Sequence, residues 1–366
     1  MSKWYLLLII IAISWLAILE LEKRGKLKAE RHLIFLIFRT EKGREFISQI
    51  ARHKRFWNIF GSAAIVVGIL GMVFIVSYIV HMIYSAYVLK IPPEGGVQLV
   101  IPGITIPFWY GMLGLITVLF VHEFAHGIVA RSEDVALKSL GIVSAAAIPI
   151  GAFVEPDEEE LKSKPRVSRM RVYSVGSFGN ILLALLTFIA LASLSSTFFD
   201  FSTLQITGVT KESPAEGVLE KGMVLKAING IEISSYKDFA NAVKEIEPNQ
   251  RVNIATDKGS FYITTAAKKD APERGYIGIG VENPLKEGLP TYFYFSLNWI
   301  LILNLGIGLI NLAPLHFGIA VTDGHHILRE ILSKFVDEKS AEKLTIFIST
   351  TMLLAIIFTV VPVPIP

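Results

Sequence analysis

The 366-residue chain has no cysteine, which excludes disulfide bridges and thiolate metal ligands, so any metal it holds must be bound by histidines and carboxylates. Charge is also scarce: 18% of residues are Asp, Glu, Lys or Arg, against 52% hydrophobic, at a mean hydropathy of +0.54. A soluble domain could not hide that much apolar surface, whereas a bilayer solvates it. The small net charge of +3 argues for no acidic partner, and the absence of cysteine is silent about redox compartment. Histidine is rare as well, with eight in the chain, and two of those eight stand four residues apart inside one apolar run.

That run spans about 106–130 and contains His122, Glu123, Phe124, Ala125 and His126. Side chains four apart on a helix lie one above the other, so both imidazoles share a face and can reach one metal ion, with Glu123 beside them as a candidate base. A chance match is the rival reading. It is weakened by the setting, because two histidines and a glutamate in a membrane span are costly and persist where a function needs them. A catalytic zinc wants three protein ligands and one open position. Candidates for the third are Asp323, His325 and His326, all just past a later span. Asp323 is favoured, since a carboxylate with two imidazoles keeps the site near neutral, and Gly324 lets the chain turn away from the His122 helix. An Asp-Gly pair taken alone is an ordinary turn.

Along the chain, residues 4–19 form a first apolar run, expected as a retained anchor because no small-residue cleavage site follows. A stretch rich in Lys and Arg, 23–55, then predicts a cytoplasmic loop and places the N-terminus outside. A nucleic-acid patch is disfavoured there, because the basic residues lie between two spans and are interleaved with glutamates. Within the loop, HLIFLIF at 32–38 is too short to span and is expected at the interface or as a strand. Further spans are expected over 58–88, 106–130, 173–198, 291–313 and 344–362, six in all, with an irregular Pro- and Gly-rich loop at 90–107. The apolar stretch 139–154 is broken by Gly141, Pro149 and Gly151, and predicts a strand or re-entrant hairpin beside the histidines. The basic loop 162–171 is again expected on the cytoplasmic side. At the start of the 173–198 span, Gly176 and Gly179 suit close helix packing, and Asn180 needs a polar partner in a dry setting. From 201 to 283 the pattern changes to short alternating strands, tight turns and one helix, an extramembrane α/β domain expected outside.

These features together resemble the site-2 proteases, intramembrane zinc metalloproteases. The likeness rests on HEFAH in one span, Gly176 to Asn180 in the next, and Asn311-Leu-Ala-Pro314 leading to Asp323-Gly324. The 151–160 stretch resembles the family's membrane-entering strand, thought to hold extended substrate. Residues 201–283 look like a PDZ domain, through Ser213-Pro-Ala, Gly217, Lys221-Gly222 and Ile228-Asn229-Gly230. Asn311 precedes Asp323 by twelve residues, a longer run than the family's usual spacing.

The resemblance implies a polytopic α-helical membrane protein with about six spans, a re-entrant strand segment and an inserted PDZ-like domain. Its parts would be an anchor and basic loop (1–57), a first protease part (58–200), the PDZ-like domain (201–283) and a second protease part (284–366). It implies one Zn²⁺ per chain on His122, His126 and Asp323, Glu123 as base, and Asn180 and Asn311 on the substrate or oxyanion. Partners would be transmembrane protein or peptide substrates and the bilayer, with a possible peptide ligand for the PDZ-like domain and no nucleic acid. The active site would lie toward the cytoplasm. The alternative is a non-enzymatic receptor or scaffold whose metal is structural, closed by a fourth ligand such as His325 or His326.

Overall fold

The computed structural model describes residues 3–24, 30–32, 35–90, 100–145, 148–318 and 320–360. The chain divides into two compact units, one formed by residues 1–188 and 298–366, the other by 189–297.

The first unit opens with helix α1 (Lys3–Lys23), strands β1 (Glu30–His32) and β2 (Phe35–Thr40), and helix α2 (Arg44–Ala51). Helices α3 (Lys54–Tyr87) and α4 (Phe108–Ser132) follow, then strands β3 (Leu137–Ala145) and β4 (Ile148–Pro156), α5 (Glu158–Ser163) and α6 (Arg166–Ser193). With 34 residues, α3 is about 51 Å long, well beyond a bilayer's apolar thickness. Its glycines let neighbours approach: a Cβ at Gly68 would lie 3.1 Å from Ser174 Cβ of α6. The sequence expectation of a strand or hairpin at 139–154 corresponds to an antiparallel pairing of β3 with β4, in which Leu140 faces Val154. Residues 146 and 147, at its tip, lie outside the described residues. The short run at 32–38 contributes β2, which pairs antiparallel with β3 (Leu36 opposite Ser144) and extends the sheet to the order β1-β2-β3-β4.

The hairpin lies against α4 because Gly127, directly after His126, offers no side chain. A Cβ there would come within 2.9 Å of Val154 Cγ1 and 3.3 Å of Ile47 Cδ1 of α2. Ile47, Val129, Ala130, Val154 and Val175 are buried together and join α2, α4, β4 and α6 into one apolar cluster. The helix that carries the fourth span starts before the span expected from 173. Helix α6 begins at Arg166, so much of the supposed loop 162–171 is helical. Its arginines can be accommodated because they are paired: Arg171 Nη1 donates to Glu133 Oε1 at 2.7 Å.

The second unit carries α7 (Ser195–Phe198), strands β5 (Leu204–Val209), β6 (Val224–Ile228) and β7 (Ile231–Glu232), and helix α8 (Tyr236–Lys244). It continues with β8 (Arg251–Thr256), β9 (Gly259–Thr264), β10 (Ala266–Lys268), β11 (Ala271–Tyr276) and β12 (Ile279–Glu282). The main sheet has the order β12-β5-β6-β8-β9, with β7 on β6, and β10 pairs with β11. Alternation in β8 buries Val252 and Ile254, which join Leu204, Ile206, Leu225 and Ile228 in one core. Asn229 and Gly230 both have positive φ (49° and 81°), the requirement of the two-residue turn that joins β6 to β7. Helix α8 is capped by Ser235, whose hydroxyl accepts from the Asp238 N–H.

The chain then forms α9 (Leu289–Leu312) and, in the first unit, α10 (Asp323–Leu332) and α11 (Glu338–Val360). Among the described residues, five helices are long and apolar enough to cross a membrane: α3, α4, α6, α9 and α11 over Glu338–Ile357. Six were expected. The anchor at 4–19 falls within α1, with side chains 4–11 outside the described ones; residues 91–99 of the loop at 90–107 and 361–362 of the last run also lie outside the described residues.

Candidate metal centre

Helix α4 sets His122 and His126 one turn apart, and their Nε2 atoms stand 3.2 Å from each other. Asp323, the first residue of α10, brings Oδ1 to 3.3 Å from His126 Nε2 and Oδ2 to 3.7 Å from His122 Nε2. Zinc bonds of 2.0–2.1 Å in a tetrahedron would put neighbouring ligand atoms about 3.3 Å apart. The two imidazoles and the carboxylate thus converge close to the spacing a single zinc requires, each imidazole meeting a different carboxylate oxygen. They form the one group of three or more such ligands within reach of each other among the described residues.

Hydrogen bonding to the far side of each ring supports the same assignment. His126 Nδ1 lies 2.7 Å from the Val172 carbonyl oxygen, so Nδ1 carries the proton and the Nε2 lone pair points at Asp323. A neutral imidazole and a carboxylate facing each other with two lone pairs repel, and a cation between them removes the conflict. His122 Nδ1 lies 3.3 Å from the side-chain nitrogen of the fully buried Asn180, whose Oδ1 has no partner among the described residues. Turning that amide over, which exchanges two atoms of nearly equal shape, gives Oδ1 a proton to accept from His122 Nδ1. His122 Nε2 is then free for a metal. The orphaned oxygen and the donor set both fit zinc.

Asp323 is held by Ser177 of α6, whose hydroxyl donates to Oδ2 at 2.6 Å and whose N–H donates to the same oxygen at 3.2 Å. Both bonds favour the ionised carboxylate, the form that binds a metal. Gly176 clears the space beside the imidazoles: a Cβ there would collide with His126 Nε2 and crowd His122 Cε1. Glu123, the next residue after His122 on α4, reaches β4, where its Oε2 accepts from the Val154 N–H at 2.9 Å. A cavity of about 340 Å³ opens onto His122, Glu123, His126 and Asp323, with Val154 and Pro156 of β4 in its wall.

The other residues expected at the site fall as follows. Asn180 contacts His122 Nδ1 and is not among the residues lining the cavity. Asn311 is half-buried near the end of α9 and does not line the cavity either. Two turns earlier on α9, Asn304 is fully buried and donates to Thr117 Oγ1 of α4 at 3.0 Å. The long spacing from Asn311 to Asp323 is absorbed by a loop over 313–322 that Thr322 staples shut. Its hydroxyl donates to the Ala313 carbonyl at 2.6 Å and accepts from Leu315 N–H at 3.0 Å. Gly324 fits tightly against the Leu312 carbonyl at the end of α9, not against the His122 helix as expected, and any side chain there would collide with it. His325 is engaged elsewhere, with Nδ1 2.9 Å from Ser349 Oγ, and burial beside His326, His316 and Arg329 lowers its imidazole to about 4.

Ser177, Gly176 and the backbone groups of Val172 and Val154 were not assigned from the sequence. Ser177 and Gly176 stood in the motif that was read, but as helix-packing residues. The two backbone groups carry no residue-type signal at all.

The chain is 28% identical to an uncharacterized protein of Methanocaldococcus jannaschii over 96% of its own length and 97% of that protein's. A membrane-bound transcription factor site-2 protease homolog of Arabidopsis thaliana is 26% identical over 42% of the chain, which spans 30% of that protein. A putative zinc metalloprotease of Clostridium perfringens is 26% identical over 49% of the chain and 59% of its own length. The model of peptidase family M50 matches residues 110–359, a stretch holding every residue of the centre described above. By that match over more than half its length, the chain belongs to peptidase family M50, the site-2 protease family.

Proposed function

We propose that this chain is an intramembrane zinc metalloprotease that hydrolyses peptide bonds within or near transmembrane segments of other proteins. The observation that carries this reading is the convergence of His122 Nε2 and His126 Nε2 on the Asp323 carboxylate, whose two oxygens stand 3.7 and 3.3 Å from them, with Glu123 adjacent. Zinc held there would supply Lewis acidity toward a scissile carbonyl and toward water. Glu123 takes the proton of the attacking water and hands it to the leaving amine nitrogen. Asn180 and the Val172 carbonyl keep the two imidazoles in the tautomer that presents Nε2. Ser177 fixes which oxygen Asp323 offers.

The substrate must be unwound, since a helix has no free backbone to attack. Strand β4 stands at the end of its sheet and points the Val154 N–H toward Glu123, which supports β4 as the strand against which an extended segment is added. The charge of loop 23–55 supports an active site toward the cytoplasm, with residues 201–283 as a PDZ-like domain on the other side that selects substrates. A purely structural metal would need a fourth ligand. His325 turns to Ser349, and no fourth ligand stands within the group among the described residues, which favours catalysis.

The test pairs metal analysis of the purified protein with cleavage of a helical membrane substrate by wild type and Glu123→Gln. The variant should keep its zinc and fold and lose about 10²–10⁴ of the rate. Cleavage at the wild-type rate would end the hydrolytic assignment.

A further inference from the structure

Helices α6 and α10 meet in one antiparallel register with three matched pairs. At the metal end, Ser177 holds Asp323. One turn further, the ring of Tyr173 stacks on His326 with centroids 4.5 Å apart and planes 12° from parallel. At the far end, Arg169 grips Glu330 with two bonds, Nε to Oε1 at 2.8 Å and Nη2 to Oε2 at 2.7 Å. The steps 169, 173, 177 and 330, 326, 323 each follow a single helix face.

The last pair has no role in the chemistry described so far. The Glu330 side chain is only 6% exposed, and a buried carboxylate is costly unless it is paired and hydrogen-bonded. Arg169 is itself pinned, its Nη1 donating to the carbonyls of Lys164 at 2.9 Å and Lys162 at 3.2 Å. Arg166 adds a bond from Nη2 to the Ser333 carbonyl at 3.0 Å, just past the end of α10. Helix α10 has ten residues and hangs from a loop. A slip of one residue would move Asp323 by about 1.5 Å and swing it by about 100°. The carboxylate could not then stay within 3.7 Å of both imidazoles.

We infer that Arg169 and Glu330 are positioning residues that lock α10 in the register at which Asp323 completes the metal centre. Their bidentate geometry suits this, because the guanidinium fork fixes direction as well as distance. The inference rests on the proposed function only in taking Asp323 as a ligand.

The full-length protein in detergent is titrated with zinc against a competing chelator, alongside Arg169→Ala, Glu330→Gln and the exchanged pair Arg169→Glu with Glu330→Arg. Each is also made in an Asp323→Ala background, with a weaker chelator. The single variants should bind zinc about 10–100-fold more weakly, in line with the loss of partners that orient a ligand. The exchanged pair should recover most of that loss. In the Asp323→Ala background the same changes should cost nothing more, because the pair acts through Asp323. A folded single variant within twofold of wild type would overturn the inference, as would an equal loss with and without Asp323. Should Arg169→Ala fail to fold, Glu330→Gln, which keeps shape and hydrogen bonding, decides on the same two numbers. Wild type that binds no zinc would sink the metalloprotease reading as well, whereas zinc-binding wild type with unaffected variants sinks the pair's role alone.

Discussion

Asn180 is fully buried and reaches His122 through its amide, a position that separates two roles by measurement. A group that stabilises an oxyanion changes turnover and leaves metal affinity alone. A group that orients a ligand changes the affinity itself. Asn180→Ala should therefore weaken zinc binding by about 10–100-fold, as read by chelator competition. Loss of turnover at wild-type zinc affinity would restore the oxyanion role. Ser177 illustrates a related point. A small hydroxyl in a span reads as packing, yet here it supplies the shortest hydrogen bond to Asp323. Residue type alone does not separate the two uses, because both need a small side chain at a close helix contact.

At the scale of elements, the site is a meeting of α4, α6, α10 and β4, and each contact is licensed by a missing side chain. Gly176 admits the imidazoles, Gly324 admits the Leu312 carbonyl, and Gly127 admits β4. Gly127→Val should push β4 from α4 and break the bond from Val154 N–H to Glu123. The metal ligands, on the neighbouring face of α4, should keep their places. Zinc content near wild type with activity strongly reduced is the expected result, at an overpacking cost of about 1–3 kcal/mol. Full activity in that variant would mean that β4 does not set the position of Glu123. This arrangement also marks what the sequence could carry. His122 and His126 were legible because four-residue spacing on a helix is a local rule. The breakers Gly141, Pro149 and Gly151 marked 139–154 as unsuited to a span. The partnership of β2 with β3 was not legible, since it joins residues about a hundred apart and no periodicity encodes which strand pairs with which. The same holds for the Val154 and Val172 backbone groups, whose role depends on long-range packing. That α6 extends seven residues before the expected span was not legible, because Arg169 and Arg171 look solvent-exposed in sequence and find their partners in the buried Glu330 and Glu133.

For the whole molecule, the absence of cysteine makes topology directly testable by single introduced thiols. Lys42, an exposed residue of the basic loop, and Lys237, exposed on α8, suit this better than Ser235, whose hydroxyl caps that helix. Lys237→Cys should label in intact cells and Lys42→Cys only in opened ones; the reverse pattern would invert the proposed orientation. The role of the second unit is open to a cleaner experiment. All the residues of the metal centre, together with Ser177 and Asn180, belong to the first unit. Within the second, Asn283 donates to the carbonyls of Thr203 at 2.8 Å and Asp200 at 3.3 Å, so the chain enters and leaves the sheet domain at neighbouring points. Residues 204–282 can then be replaced by a short flexible linker without stretching the flanking chain. If this domain selects substrates and takes no part in the chemistry, the shortened protein should keep its zinc and still cut a generic helical substrate, while its preference among substrates changes. Loss of zinc on deletion would instead make the domain part of what holds the metal centre together.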